Sequence, residues 1–191
     1  MDRKQEILEA AAKSFTMFGY KATTMEQVSK IANVGKGTIY TFFSNKEELL
    51  KEIVLTLIRD MTRQADAVMD PTVSVMENAQ KAMMKLLQFR EQHLLYAKLI
   101  EEEKALRTPA VKQMLLTIEE EIIAYVTKRI ENGIAKGEIR PCDAEMVAYL
   151  LLKAYFAFIL DWQELHEEPL PEEKIWTLFK DTIFRGLAVN E

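Results

Sequence analysis

Val34-Gly35-Lys36-Gly37-Thr38-Ile39-Tyr40 follows Asn33 and runs on through Thr41-Phe42-Phe43 to Ser44. Asn tolerates the left-handed backbone region, so Asn33 is a turn residue. The spacing after it predicts a short helix over 36–43. Before the turn, Met25 to Ile31 reads as another short helix, opened by Thr23 and Glu26 as a capping box. Earlier still, Ile7, Leu8, Ala11, Ala12, Phe15 and Phe18 recur at helical spacing and Gly19 supplies a stop. Three helices within 50 residues, the last two joined by a four-residue turn, form a helix-turn-helix layout in which one short helix is offered to the DNA major groove. A plain all-α bundle without DNA binding is the alternative that pattern alone leaves open.

Beyond this unit the helical pattern continues. Ser44 and Glu47 predict a second capping box before a long amphipathic helix through Leu49, Leu50, Ile53, Val54, Leu57, Ile58 and Met61, ended by Asp70-Pro71. Ser74 with Glu77 caps the next helix, marked by Met76, Ala79, Met83, Leu86 and Leu87. A further helix covers Leu94 to Leu106, and Thr108-Pro109 opens another that stops near Gly137. Asp143 caps a segment that is apolar almost all round as far as Trp162. Pro169 and Pro171 precede a last helix through Ile175, Trp176, Phe179, Ile183 and Leu187. The expected class is all-α, about nine helices, with no strand or internal repeat.

Composition agrees. Of 191 residues, 49% are apolar and 29% charged, a globular balance, and only 6 Gly and 5 Pro argue against a loop-rich all-β fold. The lone cysteine, Cys142, excludes an internal disulfide and suits a reducing compartment. No charged-then-apolar leader opens the sequence. The longest apolar stretch, Met146 to Trp162, carries Lys153 and Asp161, which suits a bilayer poorly. A cytosolic protein is expected. Up to residue 51 there are 8 Lys/Arg against 6 Asp/Glu, and after it 17 against 24, so a polyanion would be met by the front of the chain.

Phe18-Gly19-Tyr20, Thr23-Thr24, Val34 to Tyr40, and Phe42-Phe43-Ser44-Asn45-Lys46-Glu47-Glu48-Leu49-Leu50 closely resemble the DNA-binding domain of TetR (tetracycline-repressor-like) regulators. The resemblance implies a homodimeric, ligand-responsive transcriptional repressor that binds a palindromic operator. It divides the chain into an N-terminal helix-turn-helix domain, 1–47, and a C-terminal helical effector-binding and dimerisation domain, 48–191. It places Lys36, Gly37, Thr38, Tyr40 and Thr41 on or beside the reading helix. Lys46, at the start of the fourth helix, is expected to hold a phosphate, with Thr23 and Thr24 doing so across the groove. Phe15, Phe18, Val28, Ile39 and Phe43 read as core. Asn33, Gly35 and Phe42 depart from the family's usual glycine, hydroxyl cap, and Tyr or His. The last two differences remove possible polar contacts to DNA.

In such regulators the last two helices pack into a dimer interface, for which Tyr149, Leu152, Phe156, Ile159, Ile175, Phe179, Ile183 and Phe184 are the candidates. For the effector pocket, methionines and aromatics at shared spacing suggest Met76, Gln80, Met83, Met84, Phe89, Tyr96, Met114, Tyr125, Tyr155 and Trp162, and hence a mainly apolar or aromatic ligand. Enzyme chemistry is not expected. His166 and His93 follow Gln163 and Arg90 at three residues' distance, so no Glu-x-x-His metal pair exists. No nucleophile-base pair or phosphate-cradling glycine loop appears. No metal or cofactor is implied. The Glu101-Glu102-Glu103 and Glu119-Glu120-Glu121 runs read as solvated faces or lining charges, and Cys142 has only Arg140 near it in sequence to activate a thiolate.

Overall fold

The computed structural model describes residues 2–88 and 90–189, the side chains at 90–93 and 163 excepted. Among them the fold is all-α with nine helices: α1 (Arg3–Phe18), α2 (Met25–Ile31), α3 (Lys36–Tyr40), α4 (Lys46–Ala67), α5 (Val75–Leu87), α6 (Arg90–Leu106), α7 (Pro109–Ala135), α8 and α9. The last two are not uniform. Helix α8 is α-helical over Ala144–Phe156, π-helical over Ala157–Asp161 and α-helical again over Trp162–Leu165. Helix α9 repeats the arrangement over Glu172–Phe179, Lys180–Phe184 and Arg185–Leu187. A π turn adds one residue to the turn through i→i+5 bonding. None of these helices is long and apolar enough to cross a membrane.

The chain forms two compact units, Met1–Arg59 with Glu91–Ile118, and Asp60–Arg90 with Glu119–Glu191. In the first, the apolar stripe of α1 (Ile7, Ala11, Phe15) is wholly buried, as are Val28 of α2, Ile39 of α3, and Leu49 and Leu50 of α4. Leu95 and Leu99 of α6 and Val111 of α7 complete that core. Each of these side chains larger than Ala11 contributes about 1.5–3 kcal/mol by leaving water. Phe18 departs from its expected place. It lies on the last turn of α1 and is 49% exposed, while Phe15 meets the ring of Tyr20 at 5.5 Å.

In the second unit, Leu87, Tyr155, Ile175 and Phe179 form one buried cluster, and Ile130, Ile139, Ala148 and Leu187 another. The segment between α4 and α5 is fixed by Asn78, whose amide accepts from Asp70 N–H and donates to Asp70 C=O, both at 2.8 Å. Ser74 and Glu77 form the expected capping box, and Asp143 caps α8 through Met146 N–H. Each cap of this kind stabilises by about 1 kcal/mol.

Two other caps sit one residue later than the sequence pattern suggests. Thr24, not Thr23, opens α2, accepting from Gln27 N–H at 3.2 Å while the Gln27 amide accepts from Thr24 N–H at 2.8 Å. Before α4, Asn45 Oδ1 accepts from Glu48 N–H at 2.8 Å, and Glu48 reaches back to Ser44 N–H at 2.7 Å. Thr23 is unavailable because its buried hydroxyl donates to Gly19 C=O at 2.8 Å, beside Ser14 Oγ at 3.0 Å.

Candidate DNA-reading helix and ligand cavity

Asn33 has φ +52°, the left-handed conformation its residue type permits, and Val34 N–H closes the end of α2 on Ser29 C=O at 3.0 Å. The chain then enters α3, which ends at Tyr40 rather than at residue 43. Gly35 occupies the N-cap position and offers no side-chain acceptor, so α3 starts uncapped. One side of α3 faces inward through Ile39, which is fully buried. Lys36, Gly37, Tyr40 and Thr41 are exposed and Thr38 is half-buried, so five of the predicted contact residues share the outward side. Tyr40 is 47% and Phe42 39% exposed, large aromatic surface for a residue pair at the C-terminal end of so short a helix. Thr24 is exposed at the start of α2.

Gly37 is instructive. A methyl group built on it would meet nothing within 4 Å, and its φ is not positive. Nothing inside the protein requires glycine here, and glycine weakens a helix by about 0.5–1 kcal/mol relative to alanine. The missing side chain leaves bare backbone exposed on the outward side of α3.

Two predicted phosphate contacts are placed otherwise. Thr23 is buried and its hydroxyl is used internally. Lys46 Nζ donates to Tyr20 C=O at 2.7 Å, Thr23 C=O at 2.8 Å and Lys21 C=O at 3.3 Å, and lies 4.4 Å from the Tyr20 ring centroid. An ammonium has three protons, and all three are directed at the turn between α1 and α2. Burial lowers the Lys46 pKa, and the nearby Glu102 carboxylate opposes that effect. Lys46 is a clip that holds the turn.

Glu102 completes the fastening. The middle residue of a run that reads as solvated, it is buried, and its carboxylate accepts from Lys21 N–H at 3.0 and 3.1 Å and from the Thr108 hydroxyl at 3.1 Å. Gly19 has φ +84°, and a Cβ there would stand 2.8 Å from Glu102 Oε2. The turn thus needs glycine for both its conformation and its closeness to the carboxylate.

Within the second unit lies a cavity of about 730 Å³, a size that suits a drug-like or long-chain ligand. Met61 and Ala65 of α4, Met76 and Met83 of α5, Ile122 and Val126 of α7, and Leu152 and Tyr155 of α8 line it. Four predicted ligand residues are there: Met76, Met83, Tyr125 and Tyr155. Gln80 and Trp162 do not line it: Gln80 is exposed, and Trp162 stacks on His166 with ring centroids 3.7 Å apart. Met84 packs on the Leu87–Tyr155 cluster, and Tyr96 and Met114 are buried in the first unit. Phe89 lies outside the described residues.

Three of the predicted interface residues, Leu152, Phe156 and Phe184, line this cavity as well, and Ile175 and Phe179 are core. Leu152, Ile175 and Phe179 are buried within the chain, whereas Phe156 and Phe184 are half-buried. Ile159 and Ile183 are half-buried against the same cluster, while Tyr149 is 51% exposed beside exposed Met146 and Leu150. At the polar end of the cavity the Tyr125 hydroxyl and the Arg129 guanidinium both donate to Asp66 Oδ1. Burial, with the Asp66 hydrogen bond next, pushes the Tyr125 phenol up to about 12. Burial, followed by the charge of Glu172, also raises the Tyr155 pKa.

A buried trihelical core that presents one short, uncapped, glycine-bearing helix to solvent defines a helix-turn-helix DNA-binding regulator. Residues 7–53 match the family model described as bacterial regulatory proteins, tetR family. The chain is 48% identical over 190 residues to the HTH-type transcriptional regulator YhgD of Bacillus subtilis, covering 100% of this chain and 99% of that one. It is 28% identical over 161 residues to the transcriptional repressor AcnR of Corynebacterium diphtheriae, across 83% and 77% of the two chains. Among solved structures, the SmeT–triclosan complex superposes with a TM-score of 0.80 at 16% identity, over 100% of this chain and 93% of that one, which establishes likeness of fold. The chain belongs to the TetR family of helix-turn-helix transcriptional regulators. Members of this family bind DNA and are not enzymes.

Proposed function

We propose that this regulator is a homodimeric repressor, released from a palindromic operator when a mainly apolar effector fills the cavity of the second unit. One observation carries the reading: the chain that presents an exposed reading helix also holds a large, largely apolar cavity whose walls include α4. Residues 1–47 are assigned to DNA reading, with Lys36, Gly37, Thr38, Tyr40 and Thr41 at the groove and Thr24 at a phosphate. Residues 48–191 are assigned to effector binding and dimerisation. Repression is supported by the name of the relative AcnR, and an apolar aromatic effector by the triclosan in the SmeT complex.

A dimer is supported by the exposed apolar side chains Met146, Tyr149 and Leu150 on α8 and Leu178 on α9. One five-residue reading helix spans few base pairs, and two-fold symmetry doubles its contacts. Two recognition helices must then sit about 34 Å apart, or a multiple of it, to meet successive major grooves. An effector that favours a different separation shifts the population off DNA, and operator must weaken effector binding by the same factor.

The test is fluorescence anisotropy with DNA from upstream of the regulator's own gene and excess non-specific competitor, repeated with apolar and aromatic compounds, alongside light scattering for mass. Competitor-resistant binding by a dimer, relieved by such a compound, is the expected result. A monomer, or operator affinity that no cavity-filling compound changes, would refute the reading.

A further inference from the structure

Two donors on α7 line the cavity and share one acceptor on α4 that does not. Tyr125 and Arg129 stand four residues apart, so successive turns present them side by side, with the guanidinium carbon 5.2 Å from the Tyr125 ring centroid. Both line the cavity, whereas Asp66, whose single oxygen Oδ1 accepts from both, does not. The cavity wall therefore offers an incoming molecule a hydroxyl donor and a guanidinium fork, while the balancing carboxylate of Asp66 is outside the lining and half exposed. The lining's other charged residue, Glu138, is exposed. Ser74 is committed to its capping box with Glu77. Around the two donors the wall is apolar, with Met61, Ala65, Ile122 and Val126.

We infer that the effector is an apolar molecule ending in a carboxylate, and that this carboxylate takes Tyr125 and Arg129 away from Asp66. The inference rests on the reading of the cavity as the effector site. Three features of the geometry carry it. The planar guanidinium matches a carboxylate in a two-point contact that neither an alcohol nor an ammonium reproduces. A cationic head would meet Arg129 with like charge. The existing pair is open to exchange, because Arg129 and Asp66 are 41% and 50% exposed and an ion pair so well solvated stabilises little. The displaced Asp66 carboxylate returns to water it already touches.

The exchange also gives the head group a mechanical consequence. Asp66 belongs to α4, which contributes 60–67 to the second unit and 46–59, including the Lys46 clip, to the first. Opening the Asp66 clasp frees the C-terminal turns of that helix from α7. An apolar ligand without an acidic head fills the cavity with the clasp shut.

The experiment compares dodecanoate, dodecanol and dodecyltrimethylammonium, one alkyl chain with three heads, binding to the full chain by calorimetry below their aggregation concentrations. Hydrogen–deuterium exchange over residues 60–67 is read in parallel. Dodecanoate should bind about tenfold or more tightly than the other two, the value of a charge-assisted contact, and it alone should speed exchange at 60–67. In Arg129→Gln the carboxylate and the alcohol should bind alike. In Asp66→Asn the carboxylate should bind more tightly than to the unsubstituted chain, since its competitor is weakened. Equal binding of dodecanoate and dodecanol to the unsubstituted chain, preference for the ammonium, or unchanged exchange with dodecanoate bound would overturn the inference while leaving the cavity reading intact. Binding of none of the three would overturn the cavity reading and the inference with it.

Discussion

Replacing Glu102 tests whether the α1–α2 turn is held from α6. The carboxylate takes the Lys21 N–H through both oxygens and the Thr108 hydroxyl through Oε1. A hydrogen bond to a charged group contributes about 1.5–3 kcal/mol, and donors left unsatisfied in a buried site cost about 1–3 kcal/mol each. Glu102→Ala removes the acceptor from two donors, so a loss of about 2–4 kcal/mol is expected after partial resolvation. Glu102→Gln keeps one carbonyl oxygen in place and forfeits the charge, which brings the loss to about 1 kcal/mol. For a chain of this size roughly 3 °C follows each kcal/mol, so thermal melts by far-ultraviolet circular dichroism should fall by about 6–12 °C for Ala and about 3 °C for Gln. Hydrogen exchange at the Lys21 amide should rise in the same order. Two variants that melt together with the unsubstituted chain, with Lys21 exchange unmoved, would mean that water satisfies the carboxylate and that the turn stands without it.

Three further outcomes follow from the same contacts. Gly37→Ala should raise stability by about 0.5–1 kcal/mol and yet weaken operator binding, because the added methyl meets nothing in the protein and only DNA can object to it; chemical denaturation beside anisotropy separates the two effects. Lys46→Ala should destabilise the first unit and leave the slope of log affinity against log salt unchanged, whereas Lys36→Ala should lower that slope by about one without touching the melt, as expected for a phosphate contact. Tyr125 ionises at about 12 in the fold against 10.0 ordinarily, so the native state favours the neutral phenol. That contribution is complete below pH 10 and fades as pH rises toward about 12. Urea unfolding across this window should show a stability loss that Tyr125→Phe reduces, and an equal slope in both proteins would dismiss the raised pKa of Tyr125 that burial and the Asp66 bond together produce.

Much of the fold is legible in the sequence because its signals are local. The apolar spacing of α1 as far as Phe15, the left-handed Asn33 and the Ser74–Glu77 box act within one or two turns, and the structure places them as the pattern requires. The errors arise where two adjacent residues have the same competence. Thr23 and Thr24, like Ser44 and Asn45, can each cap, and the choice falls to a distant partner: Ser14 and the Gly19 carbonyl claim Thr23. Lys46 has the residue type and position of a phosphate contact, but the carbonyls that use its protons lie 23 to 26 residues away. Glu102 hides in a run of three glutamates whose neighbour Glu101 is indeed exposed. Apolar periodicity marks Leu152, Ile175 and Phe179 as sequestered and cannot say whether the cover comes from the same chain or from another. The Asp66 clasp joins residues 59 and 63 apart, beyond any local signal.

The π turns in α8 and α9 bear on how such chains diverge in length. Removing one residue from an ordinary α-helix rotates everything after it by about 100°, which would sweep the core-facing residues of Ala144–Phe156 round to solvent. Within Ala157–Asp161 the turn already holds one residue more than an α turn needs, so a deletion there would relax it to regular helix with the flanking faces kept in phase. The same holds for Lys180–Phe184. These two places are where a single codon can be lost while the helix faces on either side keep their alignment.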